Sequence, residues 1–292
     1  CYAFCGDNAS VSGDCTPLPQ QKDTPGHDTM HPMLNIAINA ARAAGNLIVR
    51  YFDRVDRLTI TKKGFNEFVT EVDKQAEQII VDTLLRSYPH HGILGEEGGH
   101  RKGENDFLWI IDPLDGTTNY IHGFPQFSVS IALSYRDRLE QAVVYDPLRE
   151  ELFTATRGEG AKLNNRRIRV SRCNSLDDAL LGTGFPCRNL EHIDAYLSIF
   201  KTFTTTSAGI RRPGSAALDL ASVAAGRFDG FWEFGLAVWD MAAGALLVQE
   251  AGGIVSGLDG RDDYLKSGNI IAGNPKIHAV MMHSLQPYGR FL

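Results

Sequence analysis

Long hydrophobic runs are missing from this 292-residue chain, and so is any excess of positive charge. Its most apolar stretches, such as Ala242 to Val248, fall far short of the roughly 18 to 20 uninterrupted residues that a membrane-spanning helix needs. Lysine and arginine total 29 against 35 aspartates and glutamates, a net charge of −6. That balance excludes a bulk field that gathers a polyanion, so strong direct nucleic-acid binding is not expected. Cysteine is scarce: three of the five (Cys1, Cys5 and Cys15) precede Met30, leaving Cys173 and Cys187 in the rest of the chain. Two thiols in so long a body suit a reducing cytoplasm and packing roles rather than ligation. What is present is ordinary for a globular protein, 43% hydrophobic and 22% charged residues, enough for a substantial core and about two domains or one bilobed unit.

The first 29 residues differ from the rest of the chain. They carry three prolines, few large apolar residues and no periodicity, and they supply −3 of the charge through Asp7, Asp14, Asp23 and Asp28 against Lys22. They read as a disordered appended leader or translated upstream sequence. A secretory signal is excluded by the lack of basic residues followed by an apolar run, and a small cysteine module lacks a histidine at ligand spacing. From Met30 the pattern becomes periodic. Pro32 suits a first helical turn, and Leu34, Ala37, Ile38, Ala41, Ala44, Leu47 and Ile48 predict a helix to about Phe52. A second helix is predicted from Asp73 through Leu84, stopped by Tyr88-Pro89. Strands are predicted at 107–112, 127–135, 139–145 and 152–156 as an antiparallel meander. Further helices are expected at 191–203, 215–225, 239–251 and 275–285. A division near residue 172 separates an α+β half (30–172) from an α/β half (173–292).

Chemistry concentrates in acidic residues whose settings are unusual. The apolar run Trp109-Ile110-Ile111 leads straight into Asp112-Pro113-Leu114-Asp115-Gly116-Thr117. Pro113 stiffens the turn, Gly116 permits close backbone approach, and Thr117-Thr118 begins a helix whose amides lack intrahelical acceptors. Carboxylates with the Leu114 carbonyl suit hard cations, and the amides suit a phosphate. Taken alone, an Asp-Gly turn with a threonine-led helix explains the segment equally well. Glu96-Glu97 among glycines and Asp240 at a predicted helix start add to the set, although an acidic loop and an N-cap are their simpler readings. Together these form an oxygen-only donor set, which favours Mg²⁺ or Mn²⁺ over zinc.

Residues 109–120 and 239–253, with Gly95-Glu96-Glu97 and Val69-Thr70-Glu71-Val72-Asp73 in the same order, resemble the signatures of the inositol monophosphatase family. The resemblance runs through the whole chain after Met30 and is nearest to bacterial SuhB-type members. It implies a layered α-β-α-β-α sandwich of the inositol monophosphatase / fructose bisphosphatase type, with an antiparallel sheet in the first half and a mixed sheet in the second. It also implies Mg²⁺-dependent hydrolysis of inositol monophosphate by metal-activated water, with two to three ions and Mn²⁺ as a substitute. One ion would be held by Glu96, Asp112 and the Leu114 carbonyl, a second by Asp112, Asp115 and Asp240, and a third by Glu96 through waters. Thr117, Asp73 and Glu96 would be catalytic. Asp115, Gly116, Thr117, Ala216, Glu233 and Asp240 would bind the substrate, with Glu233 set among aromatics to meet polyol hydroxyls. Lys62 aligns with a family lysine near the metal loop.

The substrate stays open between inositol monophosphate and two alternatives, adenosine 3′,5′-bisphosphate and fructose bisphosphate. The resemblance further implies Li⁺ sensitivity, a cytoplasmic homodimer and a second role in transcription antitermination and ribosomal RNA synthesis through the elongation factor NusA. The residues themselves offer Arg166, Arg167, Arg169, Arg172 and the Arg211-Arg212 pair as a local basic contact. On a strand, residues 167 and 169 would share a face. A charged edge strand that resists sheet-to-sheet association is the favoured reading of that run.

Overall fold

A computed structural model describes residues 31–54, 60–64, 67–186, 190–286 and 288. The leader and Cys187 lie outside the described residues, as does the side chain of Lys62. The described residues open with α1 (Pro32–Phe52), entered through Pro32, and a hairpin of β1 (Ile60–Gly64) and β2 (Glu67–Thr70). Next comes α2 (Glu71–Ser87), which starts at a reciprocal cap: Thr70 Oγ1 accepts the Val72 N–H while Asp73 accepts the Thr70 N–H.

An eight-stranded sheet comes next, from β3 (Gly92–Gly95), β4 (Gly99–Arg101), β5 (Phe107–Asp115), β6 (Ser128–Tyr135), β7 (Arg138–Asp146), β8 (Glu151–Thr156), β9 (Gly160–Leu163) and β10 (Arg166–Arg167). Its order is β10-β9-β8-β7-β6-β5-β3-β4. The short α3 (Thr117–Ile121) interrupts the path between β5 and β6. Strands β5 to β8 form the predicted antiparallel meander. The sheet is nevertheless mixed, because β3 and β5 run parallel. The chain returns along β4, antiparallel to β3 on the outer edge, so β5 begins at the end where β3 began. This corrects the wholly antiparallel first sheet that the resemblance implied.

The second sheet is built from β11 (Leu180–Thr183), β12 (Gly209–Arg211), β13 (Gly230–Glu233), β14 (Ile254–Ser256) and β15 (Ile270–Gly273), in the order β12-β11-β13-β15-β14. Its parallel pairs, β11 with β12 and β11 with β13, need crossovers. These are supplied by α4 (Ile193–Thr206) and α5 (Ala216–Ala224), followed by α6 (Val238–Glu250), α7 (Tyr264–Ser267) and α8 (Pro275–Leu285). The predicted start of α4 at Glu191 falls in a 3₁₀ turn, Leu190–His192, that leads into it.

The layers follow from which faces are apolar. On β5, Trp109 and Ile111 join α1 and α2 in one core, while Ile110 points the other way into a second core with α5 and α6. Residues 240–248 of α6 are all buried, as expected for a helix apolar on every side that lies between two sheets. Tyr196, Ile199 and Phe203 of α4 pack with Ile277 and Met281 of α8 and Trp232 in a third core on the outer face of the smaller sheet. The result is an α-β-α-β-α sandwich. Strand β10 covers only Arg166 and Arg167, at the edge of the large sheet. The strand therefore ends before Arg169, whose guanidinium donates to the Ile168 and Glu250 carbonyls. Residues 167 and 169 thus do not share a strand face.

Candidate metal centre

The site is assembled where β5 runs out. Between Asp112 and Asp115 the register with β6 slips, at Pro113, which has no N–H to give to the ladder. The bulge brings both aspartates to one cavity instead of alternating them across the sheet. Asp112 Oδ1 accepts the Leu114 N–H at 3.0 Å. Asp115 Oδ2 accepts the Ser215 hydroxyl at 2.5 Å and the Ala217 N–H at 2.9 Å. Asp240 stands in the first turn of α6, where its Oδ2 accepts the Ala237 N–H at 2.7 Å. One carboxylate oxygen from each of Asp112, Asp115 and Asp240 lies within 4.8 Å of the others, and all three residues are buried.

A cavity of about 490 Å³ opens over this floor. It is lined by Glu96, Asp112, Leu114, Asp115, Gly116, Thr117, Ala216, Glu233 and Asp240, among others. Asp73 lies just behind it and reaches it through Thr117, whose hydroxyl has Asp73 Oδ1 and the Leu114 carbonyl as alternative acceptors, each at 3.0 Å. Gly116 has φ +95°, and a Cβ there would fall 2.8 Å from the Gln126 carbonyl, so the tight approach at this turn requires glycine. Asn119 joins the two halves of the site, its Nδ2 donating to the Gln126 and Pro213 carbonyls at 2.8 and 2.9 Å.

Electrostatics identify what the floor suits. Burial, with the neighbouring charges of Glu96, Asp115 and Asp240, pushes the Asp112 carboxyl well above the usual carboxylate range. Burial and Asp240 push Asp115 up to about 7, against the lowering effect of the Ser215, Ala217 and Ala216 hydrogen bonds. Burial likewise raises Asp73 despite its threonine donors. Negative charge concentrated in a dry place is unfavourable unless cations neutralise it. The donors are carboxylate and carbonyl oxygens with no histidine or cysteine among them, which fits a hard divalent cation such as Mg²⁺ or Mn²⁺.

Some cavity residues were not legible as site residues. Arg212, noted in the sequence only as half of a basic pair, lies at the cavity with its guanidinium 5.2 Å from the centre of the Phe185 ring. Asp219 is fully buried, its Oδ1 has no hydrogen-bond partner, and burial with Glu233 raises its carboxyl well above the usual range. Its sequence signal was an acid inside the apolar stretch Ala216–Ala224. Gly184 makes room for Glu233, whose carboxylate occupies the space a Cβ would fill.

The chain's similarities agree with this geometry. The protein called Nus factor SuhB in Pseudomonas aeruginosa is 57% identical over 264 residues, covering 89% of this chain and 97% of that one. The crystal structure of the extragenic suppressor protein suhB from Bartonella henselae superposes with TM-score 0.86 at 44% identity, covering 88% and 99% of the two chains. An inositol monophosphatase from Anabaena superposes with TM-score 0.78 at 40% identity, covering 87% and 95%. A family model described as the inositol monophosphatase family matches residues 29–290. With that match spanning nearly all of the chain, and a cavity of converging carboxylates at the end of β5, the chain belongs to the inositol monophosphatase family.

Proposed function

We propose that this chain is a Mg²⁺-dependent phosphomonoesterase that hydrolyses myo-inositol monophosphate to myo-inositol and phosphate. The observation that carries the reading is the buried convergence of Asp112, Asp115 and Asp240 beneath a cavity that Glu233 also lines. Glu96, Asp112 and the Leu114 carbonyl would hold one cation and Asp112, Asp115 and Asp240 a second, with Glu96 contributing to a third through waters. Divalent cations held by these residues would supply positive charge for phosphoryl and leaving-group oxygens and would make a neighbouring water more acidic. Thr117 orients an attacking water: when its hydroxyl donates to Asp73, the Oγ1 lone pairs are free to accept a water proton. Asp73 and Glu96 support proton removal. The Gly116 and Thr117 amides, at the start of α3 where intrahelical acceptors are missing, offer donors to phosphate oxygens. Glu233 accepts from polyol hydroxyls, beside the backbone at Ala216.

A phosphate-release panel tests the reading. Mg²⁺-dependent turnover of inositol 1-phosphate, inhibited by Li⁺, is expected to exceed turnover of fructose bisphosphate and adenosine 3′,5′-bisphosphate. Preference for either bisphosphate would reassign the substrate, and undiminished turnover in excess Li⁺ would count against this subfamily. A cytoplasmic homodimer accompanies the reading, and sedimentation at a single monomer mass would contradict that assembly.

A second role is favoured by the 57% identity to a protein called a Nus factor. We infer that this chain also contacts the transcription machinery through NusA, by a surface separate from the cavity. Arg166 and Arg167, exposed on the edge strand β10, supply positive charge at the rim of the large sheet for an acidic partner. Binding to NusA that survives Asp112→Asn supports an independent surface, and binding lost together with catalysis contradicts it.

A further inference from the structure

Glu77 is buried on α2, one helical turn beyond Asp73 and on the same face. Its Oε2 accepts the Glu97 N–H at 2.9 Å and its Oε1 the Gly98 N–H at 2.6 Å. The turn is shaped around that carboxylate: a Cβ at Gly95 would fall 2.6 Å from Oε2, and one at Gly98 2.6 Å from Oε1. Helix α2 therefore holds two loops of the site at once, the 114–117 loop through Asp73 and Thr117 and the 96–98 turn through Glu77. The second of these carries Glu96, whose carboxyl lies within hydrogen-bonding reach of Asp112 and repels it when both are charged. Two backbone amides donating to the one buried carboxyl of Glu77 hold this turn, and Glu96 with it, beside Asp112.

We propose that Glu77 is a positioning residue for the metal centre: by gripping the 96–98 turn it sets Glu96 opposite Asp112 before any cation arrives. Its consequence for metal binding rests on the phosphatase reading of the site, whereas the grip itself does not. The isosteric change Glu77→Gln keeps the volume but turns an NH₂ toward one of the two amides. In the EDTA-treated full-length protein, hydrogen exchange at the Glu97 and Gly98 amides is expected to quicken about tenfold or more, with β6 and β7 amides unchanged. Calorimetric titration with Mg²⁺ should show affinity weakened about tenfold, while kcat at saturating Mg²⁺ stays within about threefold of wild type. Gly98→Ala, which disturbs the same contact from the turn side, should reproduce the effect, and the double variant should add little to either single one. Wild-type exchange at both amides, unchanged Mg²⁺ affinity, or faster exchange spread equally through β6 and β7 would overturn the proposal. A wild-type protein that binds Mg²⁺ but releases no phosphate from any ester would instead remove the phosphatase reading and leave the grip standing.

Discussion

Asp112→Asn should make the metal-free protein more stable and the Mg²⁺-loaded protein less stable than wild type. Oxygens of Asp112, Asp115 and Asp240 lie within 4.8 Å of one another. At an effective dielectric constant of about 20, each ionised pair at that separation repels by about 3 kcal/mol. Proton uptake relieves part of this, as the raised Asp112 and Asp115 carboxyls show. Removing one charge therefore leaves a net gain of about 1–2 kcal/mol in EDTA, or about 2–3 °C in Tm for a chain of this size. Saturating Mg²⁺ reverses the order. Wild type gains about 2.7 kcal/mol at a hundredfold excess over Kd, and the variant, missing the carboxylate shared by both proposed cation sites, gains little. Paired thermal melts in EDTA and in Mg²⁺ read both signs. A variant that melts below wild type in EDTA, or that gains as much from Mg²⁺, would show that the carboxylates are not held together at an energetic cost that cations relieve.

Thr117→Val keeps the shape of the side chain but loses the hydroxyl held by Asp73 and Leu114; kcat should fall about 10²-fold or more with Tm little changed, and near-normal kcat in a phosphate-release assay would remove Thr117 from the water-orienting role. Gly116→Ala forces a Cβ onto a residue at φ +95° and against the Gln126 carbonyl, so a loss of about 2 kcal/mol or more is expected in denaturant titration. Burial lowers the pKa of His278, whose Nε2 lies 2.9 Å from Ser256 Oγ, from its ordinary 6.5. The unfolded chain then binds the proton more readily, so this contribution is full above 6.5 and is lost as pH falls through the lower folded value. Because His91 shifts in the same direction, His278→Gln should flatten the acid-side slope of stability only in part, and an unchanged slope would show that His278 does not contribute.

The long helices and the meander were legible because α1 keeps a 3.6-residue period, β6 alternates Val129, Ile131 and Leu133 with serines and Ala132, and β7 and β8 are apolar runs separated by Asp146-Pro147. The bounds of the short strands β11 to β15 were not, since runs of three or four buried residues such as Ile270–Gly273 carry no period of their own. The layering was supplied by the resemblance, because periodicity does not say which sheet a uniformly apolar helix such as α6 will cover. At the site, Asp112 and Asp115 stood out because charge follows an apolar strand without a break. Glu77 did not, because a helical glutamate within Lys74-Gln75-Ala76-Glu77-Gln78 reads as a solvated face until β3 and its turn are folded against it. Arg212 was visible as a charge but not as part of a cavity, for its place depends on Asn119 of α3 holding the Pro213 carbonyl of the loop before α5.

A crystal soaked in Mn²⁺ and phosphate, with the ions located by anomalous scattering, tests the central claim most directly. The account predicts at least two Mn²⁺ peaks in the cavity, bounded by Glu96, Asp112, the Leu114 carbonyl, Asp115 and Asp240, with phosphate against them and the amides of Gly116 and Thr117. An empty floor, or Mn²⁺ bound only elsewhere on the molecule, would contradict it.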